Sequence, residues 1–150
     1  MDRYEDLSAL TAASRVPIAG GELHSAGLPE LGMMIERRCY NIFQPDAIFT
    51  GGIAQTMEVI RLLRKHGLAY SPHTWTNGIG LLLNLHLACG VPNCDVLEYP
   101  FEEPGWVPEA RDAMLIDPPR PRDGVIEVPR GPGIGVELDR EVMEKHGTRL

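Results

Sequence analysis

The stretch QPDAIFTGGIAQTMEVIRLLRKHGLAYSPHTW, residues 44–75, decides how the chain is built. PDAIF reads as a short buried strand, closed by Gly51-Gly52. Residues 53–66 then carry Met57, Ile60 and Leu63 at helical spacing, with Arg61, Arg64, Lys65 and His66 toward the end and Gly67 placed as the C-cap. LAYS follows as another strand, and Pro72 delivers a histidine at once. Strand, helix and strand within about thirty residues is the signature of parallel strands joined by a crossover helix.

The unit repeats on both sides. Residues 3–14 carry Tyr4, Leu7 and Leu10 at helical spacing, and RVPIAGGE is a short strand ending in glycines. Leu28, Leu31, Met34, Ile35 and Cys39 mark the next helix, with Pro29 tolerated in its first turn. After LAYS, residues 77–89 form a very apolar helix ending at Gly90, and CDVLEY reads as a fourth strand. The expected order is α-β-α-β-α-β-α-β with short connections, a parallel α/β architecture. The last fifty residues are rich in Pro and Gly, with an extended segment and turn at DGVIEVPRGPGIGVE and a brief helix at 139–146. Gly131, Gly133 and Gly135 do not follow a buried strand and open a helix, so they read as turn chemistry and not as a phosphate cradle.

Bulk properties narrow the function. The 150 residues suffice for one cored domain, and 43% hydrophobic with 23% charged residues is ordinary for a globular protein. A net charge of −7 argues against a nucleic-acid or anionic-membrane partner, which would want a basic face. Cys39, Cys89 and Cys94 form no CxxC pair and read as reduced, mostly buried thiols. The acidic N-terminus and the absence of any apolar run near the roughly 18 residues needed to span a bilayer point to a cytoplasmic protein.

Each expected strand ends near a residue able to do chemistry: Glu22 after IAGG, Asp46 at DAIFTGG, His73 after YSP, and Glu98 within VLEYP. Taken singly, an aspartate or histidine after proline is usually a turn or surface residue, and a glutamate near a strand end is usually solvated. In parallel α/β folds, however, the C-terminal ends of all strands face one side, where active sites are assembled, so the four would converge on one cavity.

VPIAGGE, QPDAIFTGGIAQTMEVIRLLRKHGLAYSPHTW, LEYPFEEP and DGVIEVPRGPGIGVELD together resemble the C-terminal part of the enolase superfamily, in its mandelate racemase and acid-sugar dehydratase branch. The spacings of 24, 27 and 25 positions between Glu22, Asp46, His73 and Glu98 fit, and the resemblance covers nearly the whole chain. It implies the C-terminal half of a (β/α)₈ barrel, strands five to eight, over residues 1–118, and a segment over 119–150 that would pack on a capping domain. It implies that Glu22 is one of three carboxylates holding Mg²⁺, that Asp46 and His73 form an acid/base dyad, and that Glu98 hydrogen-bonds the charged intermediate. His24, Trp75 and Asn77 are pocket-lining candidates by their nearness to Glu22 and His73. The muconate-lactonizing branch places a lysine on the sixth strand, and FQPDAIFTGG has none. His86 reads as structural, and His66 and His146 as helix-end residues.

The chemistry suits these residue types. Removing a proton beside a carboxylate builds an ene-diolate, whose charge a hard cation such as Mg²⁺ neutralises. A neutral imidazole is a suitable acid or base near neutral pH, and an aspartate on its other nitrogen fixes the tautomer. The implied activity is dehydration of a sugar acid, with racemization or cycloisomerization as the alternative in the same branch. A non-catalytic remnant or interaction module is the alternative of a different class. A whole barrel takes about 250 residues; the other two magnesium carboxylates, the opposing lysine base and the capping domain have no counterpart in this sequence. A partial curved sheet has open edges, so self-association or pairing with an N-terminal half is expected. Sedimentation at micromolar concentration should therefore show associated or insoluble material; a stable, soluble monomer contradicts this expectation.

Overall fold

The computed structural model describes residues 3–22 and 27–148. Three short strands, β1 (Ala19–Gly20), β2 (Ile42–Phe43) and β3 (Ala69–Tyr70), lie side by side in that order and all parallel. Ala19, Ile42 and Ala69 form one cross-strand row and Gly20, Phe43 and Tyr70 the next. Backbone bonds carry the pairing beyond the ladder, from Gln44 N to Gly20 O (2.9 Å) and from Ser71 N to Phe43 O (3.0 Å). Helix α1 (Tyr4–Ala13) precedes β1, α2 (Leu28–Glu36) joins β1 to β2, and α3 (Ile53–Lys65) joins β2 to β3.

The crossover helices form because their apolar residues recur at three and four positions, so one face can be buried against the sheet. Leu31, Met34 and Ile35 of α2 and Val59, Ile60 and Leu63 of α3 meet Phe43 and Tyr70 in a single core. The opposite row is more open: Ala19 is exposed, and Ile42 and Ala69 are half-buried. Gly20 is needed where it stands, because a Cβ there would lie 2.6 Å from the Tyr40 ring. Gly67 adopts a left-handed φ of 67° just past α3, as its reading as a cap requires.

Helix α4 (Gly78–Cys89) is buried over most of its surface. Asn77 caps it, its side-chain oxygen accepting from Ile79 N and Gly80 N, both at 3.1 Å. On its far side Leu82 and Leu85 join Leu115 in a second core, packed against Ile126, Val128, Ile134 and Val136 of the Pro/Gly-rich region. His86 reaches the Ile134 carbonyl at 3.1 Å, which agrees with its structural reading. That region also holds α5 (Pro108–Arg111), the antiparallel pair β4 (Leu115–Ile116) and β5 (Glu137–Leu138), and α6 (Arg140–His146), capped by Asp139.

Several details depart from the sequence reading. PDAIF is not a strand. The ladder ends at Phe43, since Pro45 has no N–H to offer it, and residues 46–50 turn, with Phe49 N and Thr50 N bonded to Asp46 O. CDVLEY runs beside β3 without forming a ladder, tied to it by Tyr70 N to Asn93 O (2.9 Å) and Ser71 Oγ to Val96 O (3.1 Å). The parallel sheet thus has three laddered strands and a fourth, extended flank. Helix α5 and the β4–β5 pair were not anticipated, because they lie in the Pro/Gly-rich last fifty residues, where no sustained periodicity marks an element. Among the thiols Cys39 is buried, Cys94 half-buried and Cys89 exposed. Burial pushes the Cys94 thiol up to about 11, so it stays protonated at neutral pH.

The exposed face of α3 and its core face should respond differently to truncation. Leu63→Ala, at a fully buried site, should cost about 2–5 kcal/mol. Arg64→Ala, at the exposed neighbour, should stay within about 0.5 kcal/mol. Urea denaturation of the two variants measures both.

Candidate active site

The C-terminal ends of β2 and β3 bring two side chains together at the edge of the sheet. Past β2, Gln44-Pro45 leads to Asp46, which is fully buried, and past β3, Ser71-Pro72 leads to His73, which is 7% exposed. His73 Nδ1 lies 3.1 Å from Asp46 Oδ2. The other Asp46 oxygen, Oδ1, accepts from Ile48 N (2.9 Å) and from Asn84 Nδ2 (2.8 Å). An Asp46 carboxylate can only accept, so in a neutral His73 this contact places the proton on Nδ1 and leaves Nε2 as the lone-pair nitrogen. The Phe49 ring, on the turn after Asp46, lies with its centroid 6.3 Å from that of His73.

Nε2 faces the end of β1. Gly21, with φ of 88°, turns the chain in a conformation that favours glycine and presents Glu22, whose Oε2 is 4.0 Å from His73 Nε2. The Glu22 side chain is about half open to solvent, against 9% for that of His73. Three of the four residues singled out at strand ends therefore stand in one line, Glu22, His73 and Asp46. His24 lies outside the described residues.

Glu98 is held next to this line by the two residues that follow His73. Its Oε2 accepts from Thr74 N (3.1 Å), its Oε1 from Trp75 Nε1 (3.0 Å), and its backbone carbonyl from Thr74 Oγ1 (2.5 Å). Trp75 in turn meets Trp106 edge to face at 5.8 Å between centroids. Trp75 is thus a partner of Glu98, and the side-chain oxygen of Asn77 is committed to capping α4.

Behind Glu98, the chain is anchored by a buried cation. The fully buried Arg111 side chain forks onto both carboxylate oxygens of Asp112 at 2.7 Å. It also donates to Pro100 O and to Tyr99 Oη, each at 2.9 Å, and Arg120 makes a second contact with Asp112 at 2.6 Å. Such a bidentate pair fixes orientation as well as charge. Gly78 leaves room for it, since a Cβ there would meet Asp112 Oδ1 at 2.6 Å.

Among the described residues, no group of three or more His, Cys, Asp or Glu side chains is arranged to hold a metal ion. Glu22 is a hard oxygen donor, but Mg²⁺ demands near-octahedral oxygen coordination. One carboxylate does not satisfy it, so these residues do not by themselves make a magnesium site.

Two contributors escaped the sequence reading. Thr74 supplies two of the bonds that hold Glu98, and nothing in its type or spacing marks it. Asn84 left a signal: it is the one amide in the apolar run LLLNLHL, a buried polar group that had to find partners.

Residues 1–142 match the family described as enolase C-terminal domain-like. The chain belongs to that family. As an enolase C-terminal domain it has relatives in the mandelate racemase and muconate lactonizing branch. It is 31% identical over 144 residues to arabinonate dehydratase of Saccharolobus solfataricus, covering 95% of this chain and 37% of the relative. It is 25% identical over 146 residues to D-galactarolactone cycloisomerase of Agrobacterium fabrum, covering 95% and 38%. Its fold superposes with a TM-score of 0.80 on L-talarate dehydratase from Polaromonas sp. JS666, crystallised with Mg and L-glucarate, at 28% identity, covering 95% of this chain and 36% of that one. The chain therefore spans less than two fifths of the length of these relatives. No helix among the described residues is long and apolar enough to cross a membrane.

Proposed function

We propose that this domain is the acid/base half of a sugar-acid dehydratase active site, with His73 as the group that moves protons. The observation that carries the reading is the buried 3.1 Å contact between Asp46 Oδ2 and His73 Nδ1, which leaves Nε2 free and turned toward the Glu22 side of the sheet. The sugar-acid dehydratases among its relatives support the substrate class.

In this reading Asp46 accepts the Nδ1 proton, holds the ring in place and stabilises the imidazolium that forms. Nε2 either takes the proton beside the substrate carboxylate or, once protonated, gives a proton to the departing hydroxyl. In the net reaction a C–H and a C–O bond break, a carbon–carbon double bond forms, and water leaves. Glu98, held by Thr74 and Trp75, is assigned the hydrogen bond to the charged intermediate. Glu22 is assigned as one carboxylate of a Mg²⁺ site; bound Mg²⁺ would neutralise charge developing on the substrate carboxylate. Since no group of three or more His, Cys, Asp or Glu among the described residues is arranged to hold a metal, the proton transfers assigned here are those of the protein side chains alone.

Residues 1–118 are in the same reading the partial barrel, and residues 119–150 the segment directed toward a capping domain. The remaining ligands and the opposing base would come from an N-terminal half, and the setting would be cytoplasmic. The match to a cycloisomerase favours, as a second reading, isomerization by the same dyad. Product analysis separates the two, since only a dehydratase releases water.

The test is exchange of the substrate α-proton with solvent deuterium in the presence of Mg²⁺, screened over sugar acids, with the chain alone or combined with an N-terminal half. Exchange is expected, and His73→Asn should reduce it by about a hundredfold or more. No exchange under any pairing, or exchange that survives His73→Asn, contradicts the catalytic reading and favours a non-catalytic module.

A further inference from the structure

Asn84 is fully buried on α4, between Leu82 and Leu85, where a leucine would pack without any demand for partners. An amide at such a place costs free energy unless its hydrogen bonds are made. Asn84 has four partners, three of them at the ends of β2 and β3. Its Nδ2 donates to Asp46 Oδ1 at 2.8 Å, the shortest of its bonds, and also contacts His73 O at 3.2 Å and Gly80 O at 3.1 Å. Its Oδ1 accepts from Ala47 N at 3.1 Å. One side chain thus touches the carboxylate of Asp46, the backbone beside Asp46 and the backbone of His73, and ties the ends of β2 and β3 to the helix that follows.

We propose that Asn84 is a positioning residue for the dyad, which sets the tautomer of His73 through Asp46. Oδ1 of Asp46 receives two donors, Asn84 Nδ2 and Ile48 N, so that oxygen is already occupied. Oδ2 is left as the acceptor that faces the imidazole, and the carboxylate cannot rotate without breaking both bonds. An imidazole beside an acceptor held in that orientation keeps its proton on Nδ1 and offers Nε2 to the open side. A purely structural asparagine would satisfy itself on the helix and its neighbouring backbone; this one spends its strongest contact on a charged group next to the histidine.

The importance of this role rests on the acid/base reading of His73, but its test does not need turnover. The full chain is labelled with ¹⁵N-histidine, and the His73 tautomer is read by NMR, in solution or on sedimented protein if the chain associates. Wild type should show the Nδ1–H form predominating. Asn84→Ala should lower the ratio of Nδ1–H to Nε2–H about tenfold, and should have no further effect in an Asp46→Asn background, because it acts through Asp46. Should the alanine variant fail to fold, Asn84→Leu fills the same buried volume without any donor to Asp46, and should lower the ratio likewise. An unchanged ratio in a folded variant overturns the proposal, as does a wild-type His73 without a predominant Nδ1–H form. If the tautomer responds as stated while no sugar acid exchanges its proton, the positioning role stands and the dehydratase reading fails.

Discussion

The contact between Asp46 and His73 depends on two backbones arriving at the same depth, and the parallel pairing of β2 with β3 provides that. Phe43 is level with Tyr70 in the sheet, and each strand then runs two residues before its functional side chain: Gln44-Pro45 before Asp46, Ser71-Pro72 before His73. The two prolines end the strands at matching positions, since neither can donate to a continuing ladder. A slip of one residue in the register would turn one of the two side chains to the opposite face. The core under α2 and α3 is therefore what holds the dyad, because it fixes the register through Phe43 and Tyr70. Burial also holds the Tyr70 phenol well above its ordinary range, so the ring remains a neutral wedge in that core.

Around the dyad the chain uses two separate kinds of support. On one side, Asn84 secures Asp46 from helix α4. On the other, Thr74 and Trp75 secure Glu98, and the Arg111–Asp112 pair secures the Tyr99-Pro100 segment that follows it. The Pro/Gly-rich region completes the packing: Ile126, Val128, Ile134 and Val136 cover the far face of α4, whose near face bears Asn84. A region that looks like loose turn chemistry in the sequence thus backs the helix behind the site.

Much of this was readable from the chain alone, for physical reasons that differ from element to element. Helices α2 and α3 were legible because burying one face imposes a three-and-four spacing, as in Leu31, Met34, Ile35 and Val59, Ile60, Leu63. The convergence of Glu22, Asp46 and His73 was legible because the ends of β1, β2 and β3 are marked by Gly and Pro. The strand in IFQ was misplaced onto PDAIF, because an apolar run after proline looks like a strand until the Asp46 carboxylate takes up the Ile48 N–H and turns it. The ladder expected at CDVLEY is missing because its partners are side chains, Ser71 Oγ and Thr74 Oγ1, more than backbone groups. The buried pair of Arg111 and Asp112 had no signature, since adjacent opposite charges on a short segment usually signal a solvated surface.

The function proposed for this domain requires that Asp46 make His73 the proton-moving group. The most direct measurement is the rate of α-proton exchange in Asp46→Asn, in whichever assembly supports exchange by the wild-type chain, with circular dichroism to check the fold. The amide preserves the shape of the side chain but can present its NH₂ to the imidazole and so favour the wrong tautomer. Exchange should fall by about a thousandfold or more while the fold is retained; a folded Asp46→Asn protein that exchanges within about twofold of wild type would contradict the account.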